Sequence, residues 1–204
     1  MAIYRDRILP RIIDCACGMK MTDPQRERTC AGLTGDVVEL GFGSGLNVPF
    51  YPSTVTKVSA IEPADAAWKL ASKRVKASRI PIERSGLDGQ QLPLSDASFD
   101  CALSTFTMCT IPDLVAALRE VRRVLKPNGR LHFVEHGLAP DAKVQRWQNR
   151  LNPVQNKLFG GCNLNRPIVE MLEQEGFVVD WVDRFYDRGA PKFLGAMSLG
   201  VVRV

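Results

Sequence analysis

The 204-residue sequence predicts an α/β chain built on a doubly wound, seven-stranded sheet with helices on both faces and a terminal antiparallel hairpin. Three observations carry that expectation. From about residue 36 onward, short apolar runs alternate with stretches whose apolar residues recur at helical spacing, the pattern of parallel strands joined through helices. The first run breaks into a glycine-rich turn, "VVELGFGSGLN", at residues 37–47. The last two runs are joined by "YDRGAPKF", which lacks a helical pattern and is shorter than the roughly dozen residues a parallel crossover needs, so that pair should be antiparallel.

Each element follows from its residues. Residues 1–35 read as a helical cap, because Ile8, Leu9, Ile12, Ile13 and Ala16 recur on one helical face with arginines elsewhere, and Pro10 marks a kink or a late start. "DVVEL" is a short buried strand. "KVSAIE" is the second strand, followed by the amphipathic helix "ADAAWKLASKRVKA". "IPIERS" is the third strand and "SFDCALST" the fourth. "DLVAALREVRRVLKPNG" is a helix stopped by Pro127 and Gly129, and "GRLHFVEH" is the fifth strand. A helical region near 143–160 and a helix near 166–175 come next, the latter ending at Gly176, a residue suited to the left-handed position past a helix. "FVVDWVDRF" and "GAMSLGVVRV" close the sheet. The main domain therefore covers 36–204, and an insert at about 138–165 is expected to cover a cleft together with the N-terminal cap.

Composition bounds the function. Hydrophobic residues at 45% and charged residues at 24% are the balance of a soluble globular chain, and no window reaches the roughly 18 to 20 apolar residues of a membrane span. Charges at Arg5, Asp6, Arg7, Arg11 and Asp14 interrupt the stretch a secretory leader would need, so a cytoplasmic location is expected. The six cysteines form no CxxC pair, and with only two histidines, His132 and His136, no metal site is expected. The net charge of +5 comes from interspersed acids and bases, without a basic stripe interleaved with aromatics, which argues against a nucleic-acid partner.

The glycines select the ligand. A dinucleotide fingerprint is GxGxxG/A after a strand, but here the third glycine comes one residue early and Leu46 occupies the last fingerprint position. Glu39, two residues before Gly41, would attract a cationic group and repel a pyrophosphate. Glu62, about twenty residues after the glycines at a strand end, is placed to accept both hydroxyls of a ribose. No GxxxxGK[ST] phosphate loop is present. The residues ask for a ribose-bearing ligand with a positive group and no phosphates, a description that S-adenosylmethionine fits.

The run "VVELGFGSGLN", the strand end "AIEP", "LDGQQLPLSDASFD" and "LREVRRVLKPNGRLHF" resemble, in order, the motifs of class I S-adenosylmethionine-dependent methyltransferases, with their Rossmann-like fold. "STFTMCTIPD", "FVEHG", "RWQNRLNP" and "GGCNLNR" resemble a branch related to phospholipid and quinone methyltransferases and to mammalian alkyl-thiol S-methyltransferases. The resemblance implies that Gly41, Gly43 and Gly45 turn under the methionine part, with Glu39 on the ammonium side and Asn47 near the carboxylate. It places Glu62 on the ribose, Pro63 along the adenosine, and Asp88 and the Gly89 amide at the adenine, with Leu87 beside them in the same segment. Ser104 and Thr105 would flank the sulfonium. Phe42 departs from the small residue common in the family. The [DN]PP[YF] motif of enzymes that methylate amino groups of DNA or protein glutamine is replaced here by "STFTMCT".

Other residues carry two readings. Asp96 and Asp100 read as turn and strand-start residues rather than catalytic ones, and Trp68 as core rather than an adenine stack. His136, after the fifth strand, is either a general base for an acceptor or a residue that orders the next loop. Cys109 and Cys162 read as small buried side chains. The expected activity is methyl transfer to a small hydrophobic thiol, phenol or quinol, or lipid amine, leaving S-adenosylhomocysteine. A sensor that binds the cofactor without turnover shares the motif from Glu39 to Glu62, and Leu46 with the downstream motifs argues against a nicotinamide oxidoreductase. Arginines flanking the first helix allow shallow contact with an anionic membrane.

Overall fold

The apolar runs become seven strands of one sheet: β1 (Gly35–Leu40), β2 (Val55–Ile61), β3 (Ile82–Gly86), β4 (Phe99–Thr105), β5 (Leu125–His136), β6 (Val178–Tyr186) and β7 (Ala196–Arg203). The helices are α1 (Leu9–Cys17), α2 (Asp23–Cys30), α3 (Asp65–Ala77), α4 (Leu114–Val124), α5 (Ala142–Leu158) and α6 (Ile168–Gln174). This computed structural model describes residues 9–204, so Arg5, Arg7 and Ile8 of the expected cap lie outside the described residues.

Across the sheet the strands run β3, β2, β1, β4, β5, β7, β6. β1 pairs in parallel with both β2 and β4, while β7 pairs antiparallel with β5 on one side and β6 on the other. The short hairpin loop therefore sends the last strand back between β5 and β6. Chain order reverses at β1, with β2 and β3 on one side and β4 onward on the other. That switch point opens a crevice at the carboxyl ends of β1 and β4, where ligands of such sheets sit.

Alternation within β1 divides the core. Val38 packs into the cluster that holds α4 residues Leu114, Leu118 and Val121, and Val37 packs on the opposite side with Cys30 and Leu33. The buried α4 residues recur at spacings of three and four, which places them on one helical face. Each fully buried leucine contributes about 1.5–3 kcal/mol of apolar transfer, so the sheet, and with it the crevice, is held from both faces.

Helix α4 ends at Val124, before the Pro127 expected to stop it. The reason is tertiary: Leu125 already pairs with Phe99, and β4 then resumes against Arg130, so residues 126–129 bulge out of the ladder with Asn128 left-handed at φ 64°. Asp96 and Asp100 are structural, but through distant partners rather than the local backbone. Asp96 pairs with Arg123, and Asp100 accepts the Asp36 amide at 2.9 Å and Lys126 Nζ at 2.7 Å. Trp68 packs its ring 5.3 Å from that of Phe42 and lies off the crevice, as the core reading expected.

Candidate active site

Two adjoining cavities fill the crevice and share Gly41, Pro63, Thr107, Thr110 and Gly160. The first, about 280 Å³, has the glycine turn on one side and α1 on the other. Gly41, Gly43 and Gly45 all adopt positive φ, at 65°, 58° and 76°, so the turn needs residues without a Cβ penalty. At Gly41 a Cβ would collide with the Thr107 side chain, whereas at Gly43 it would meet only Gly41 O, at 3.8 Å. Gly43 therefore offers bare backbone to a ligand. Gly45 lies off the cavity wall and supports the turn through its amide, which donates to Phe42 O at 3.0 Å. The Phe42 ring is buried beside Ala60 and Ala71, so the large residue at this position points away from the turn's open side.

Glu62 is 6% exposed and lies on the cavity wall. Its Oε2 accepts the Gly43 amide and its Oε1 the Ala64 amide, each at 2.7 Å. A carboxylate offers about four acceptor positions, so both oxygens keep capacity for a diol. Burial raises its pKa, and the two amide bonds work against that rise.

The second cavity holds Leu87, Asp88 and Gly89 beside Leu40 and Ile61. Asp88 Oδ1 accepts the Gln90 amide at 2.8 Å and Gln90 Nε2 at 3.0 Å, while Oδ2 makes no bond among the described residues. A Cβ on Gly89 would meet Leu40 Cδ2 at 3.0 Å, so the slot between them is flat and narrow.

The deep end of the first cavity is polar. Asn47 Nδ2 donates to Glu39 Oε1 and to Thr105 Oγ1, each at 2.9 Å, and Asn47 Oδ1 accepts from Arg26 Nη1 at 2.7 Å. Arg26 comes from α2, is 4% exposed, and also reaches Thr105 Oγ1 at 3.1 Å and Cys17 O at 3.1 Å. Burial lowers its pKa. Its guanidinium lies 5.2 Å from the centre of the Phe106 ring, whose backbone is left-handed at φ 56°. A non-glycine residue in that conformation is held by its surroundings and is common at functional sites.

Residues 38–133 match the family model described as a methyltransferase domain. Thiol S-methyltransferase TMT1A of Homo sapiens is 34% identical over 155 residues, covering 72% of this chain and 62% of that protein. Thiol S-methyltransferase TMT1B of Rattus norvegicus is 32% identical over 169 residues, covering 78% of this chain and 69% of that protein. The chain belongs to the S-adenosylmethionine-dependent methyltransferase family. The fold agrees: an S-adenosylmethionine-dependent methyltransferase structure from Mesorhizobium loti superposes with a TM-score of 0.66 at 17% identity, covering 92% of this chain and 99% of that one. The match to TMT1A thus spans less than two thirds of that relative's length.

The residues of this methyltransferase fit the family's cofactor. Arg26 Nε is buried without a partner at the end of the cavity where a carboxylate is expected. Glu62 and Asp88 sit on the same continuous crevice, where the ribose and adenine are expected, and the open backbone of Gly43 faces Glu62.

Besides Gly45, three expected site residues lie elsewhere than on the wall. Glu39 is fully buried behind Asn47, where it also accepts from Tyr51 Oη, so it acts on a ligand only through Asn47 and its charge. Burial pushes its pKa up to about 7, against the opposing bonds from Tyr51 and Asn47. Ser104 points to the other side of β4, donating to Glu135 Oε1 at 2.8 Å, and only its neighbour Thr105 reaches the cavity. His136 is turned away from both cavities, with Nε2 3.0 Å from Cys162 Sγ, so the structure does not bring it to an acceptor.

Arg26, Asp14, Cys17 and Thr107 were not anticipated. Asp14 on α1 accepts the Ser44 hydroxyl at 2.5 Å and pairs with Arg74 at 3.3 Å, which fastens α1 across the glycine turn. Thr107 is set by its amide, which donates to Glu135 Oε1 at 2.9 Å.

Proposed function

We propose that this methyltransferase moves the methyl group of S-adenosylmethionine to a small apolar thiol, with phenols or quinols and lipid amines next in preference. One observation carries the choice of acceptor class: beyond the polar end, the cavity lining includes the apolar residues Pro10 and Ile13 of α1, Leu46 of the glycine turn and Phe106. The names of the relatives support the sulfur acceptor within that class.

The cofactor supplies a methyl already activated by a sulfonium, so the chain need not provide a covalent nucleophile. Its residues bind and align. Arg26 and Asn47 fix the carboxylate end, Glu62 the ribose and Asp88 the adenine, so the reacting face is held from both sides. Such positioning is worth up to about 7–11 kcal/mol. Pro10 and Ile13 close α1 over the reacting end and exclude water there. A thiol is a few per cent ionised at pH 7 and needs no base, which accords with a cavity wall that carries no histidine among the described residues.

Exposed Ile12, Met19 and Met21, beside Arg11 and Lys20, support a shallow contact of the α1 region with an anionic membrane, from which an apolar acceptor would be drawn. No helix among the described residues is long and apolar enough to cross a membrane.

The test is incubation with methyl-labelled S-adenosylmethionine and a panel of thiols, phenols and lipid amines, with products read by mass spectrometry. Label on the sulfur of an alkyl thiol is expected. Label only on oxygen or nitrogen would overturn the sulfur preference, and cofactor binding without any labelled product would support a sensor instead.

A further inference from the structure

Three side chains unused by methyl transfer meet beneath the crevice. Cys109 lies in the loop after β4, His136 is the last residue of β5, and Cys162 lies between α5 and α6. One ligand atom from each falls within 4.8 Å of the others, and Cys162 Sγ is 3.0 Å from His136 Nε2. Both cysteines are buried. No sequence spacing marks the group, because each residue arrives on a different segment.

We propose that Cys109, His136 and Cys162 form a binding site for a zinc-class divalent cation. Two sulfurs and one imidazole are the donors such an ion prefers, whereas calcium and magnesium take oxygen ligands. Zinc bound at about 2.3 Å to sulfur and about 2.0–2.1 Å to nitrogen separates tetrahedral ligand atoms by roughly 3.5–3.8 Å. The Cys162–His136 pair reaches that spacing by opening roughly 0.5 Å, and the separations to Cys109 lie within 4.8 Å.

Two buried polar atoms beside the cluster lack partners. Glu135 Oε2 is fully buried with no partner, as is Nδ1 of the adjoining His136. Buried polar atoms of this kind are uncommon and call for a reason. The ligand segments are also tied independently of the cluster: Cys109 O accepts the Asn163 amide at 2.9 Å and Asn163 Nδ2 at 3.1 Å. These bonds from Asn163, the neighbour of Cys162, hold the two cysteine segments together before any ion arrives.

The site has a structural consequence for the crevice. Gly160 and Gly161, just before Cys162, and Thr107 and Thr110, either side of Cys109, line the cavities. An ion would clamp those two walls together. None of the three ligands lies on a cavity wall, so the ion is assigned to holding the site rather than to chemistry in it.

The experiment uses the full chain, reduced and stripped of metal, titrated with cobalt(II) as a spectroscopic probe and with zinc against a chelating dye. Expected are one equivalent of tight binding and the charge-transfer absorption of a cobalt–thiolate centre. Cys109→Ser and Cys162→Ser should each raise the zinc Kd at least tenfold, while Cys15→Ser leaves it unchanged. Absence of the thiolate band in the unaltered protein would overturn the site, leaving a hydrogen-bonded thiol cluster. Loss of binding in Cys15→Ser rather than Cys162→Ser would equally overturn it, moving the ion to the Cys15–Cys17 pair. The cobalt spectrum is read on the unaltered chain, so a variant that fails to fold does not remove the test.

Discussion

Arg26 Nη1 lies 2.7 Å from Asn47 Oδ1 and thereby joins α2 to the turn that follows β1. The contact places a buried cation at one end of the cofactor crevice, with Nε still unpartnered. Arg26→Met should raise the S-adenosylhomocysteine Kd by about 10- to 100-fold, the scale of a lost hydrogen bond to a charged group. Arg26→Lys should fall between, because an ammonium keeps the charge but not the planar fork. Calorimetry measures both, and an unchanged Kd in Arg26→Met would remove Arg26 from the site.

Glu62 accepts two backbone amides and faces the cavity with its remaining acceptor capacity. Glu62→Ala should weaken cofactor binding at least tenfold. Calorimetric affinity equal to that of the unaltered chain would show that the ribose is held elsewhere.

Glu39 gives a pH signature. Its pKa stands at about 7 in the folded chain against 4.5 ordinarily, so the folded state keeps a proton that the unfolded chain has released between those values. The stability this group contributes is complete below about pH 4.5 and is lost as pH rises through about 7. Glu39→Gln, which stays neutral, should therefore be more stable than the unaltered chain at pH 8, by on the order of 1–3 kcal/mol, and similar to it at pH 4.5. Urea denaturation at the two pH values tests this, and equal midpoint differences at both would contradict the assignment.

The strand pattern, the glycine turn and the place of Glu62 at a strand end were legible because each is set by local residues: apolar runs, left-handed positions and strand ends; the Asp88–Gly89 segment was singled out only through the family resemblance. Arg26 was not legible, since one of two arginines on a polar helix gives no sign of burial until α2 folds against Asn47 and Thr105. The Ser104–Thr105 pair shows a related limit. Strand alternation says that neighbours face opposite sides, but only the packed sheet shows that Thr105 takes the cavity and Ser104 takes Glu135. His136 followed the right strand to the right end, yet its ring direction is set by Cys162, which arrives from the far side of α5. The early end of α4 likewise depends on Leu125 pairing with Phe99 rather than on Pro127.

The exposed apolar residues of the α1 region should bind anionic vesicles. Flotation at low salt should retain the chain and high salt should release it, with Ile12→Asp lowering retention severalfold. No retention at low salt would contradict membrane contact.

The claim beneath all of this is that the crevice accepts an adenosine joined to a sulfur-bearing amino acid and not a phosphorylated dinucleotide. A direct test is calorimetric titration of the chain with S-adenosylhomocysteine and, separately, with NADH, followed by the crystal structure of whichever complex forms. The expected result is saturable binding of S-adenosylhomocysteine alone, with its ribose on Glu62 and its carboxylate at Arg26. Binding of NADH over Gly43, with no heat from S-adenosylhomocysteine, would contradict it.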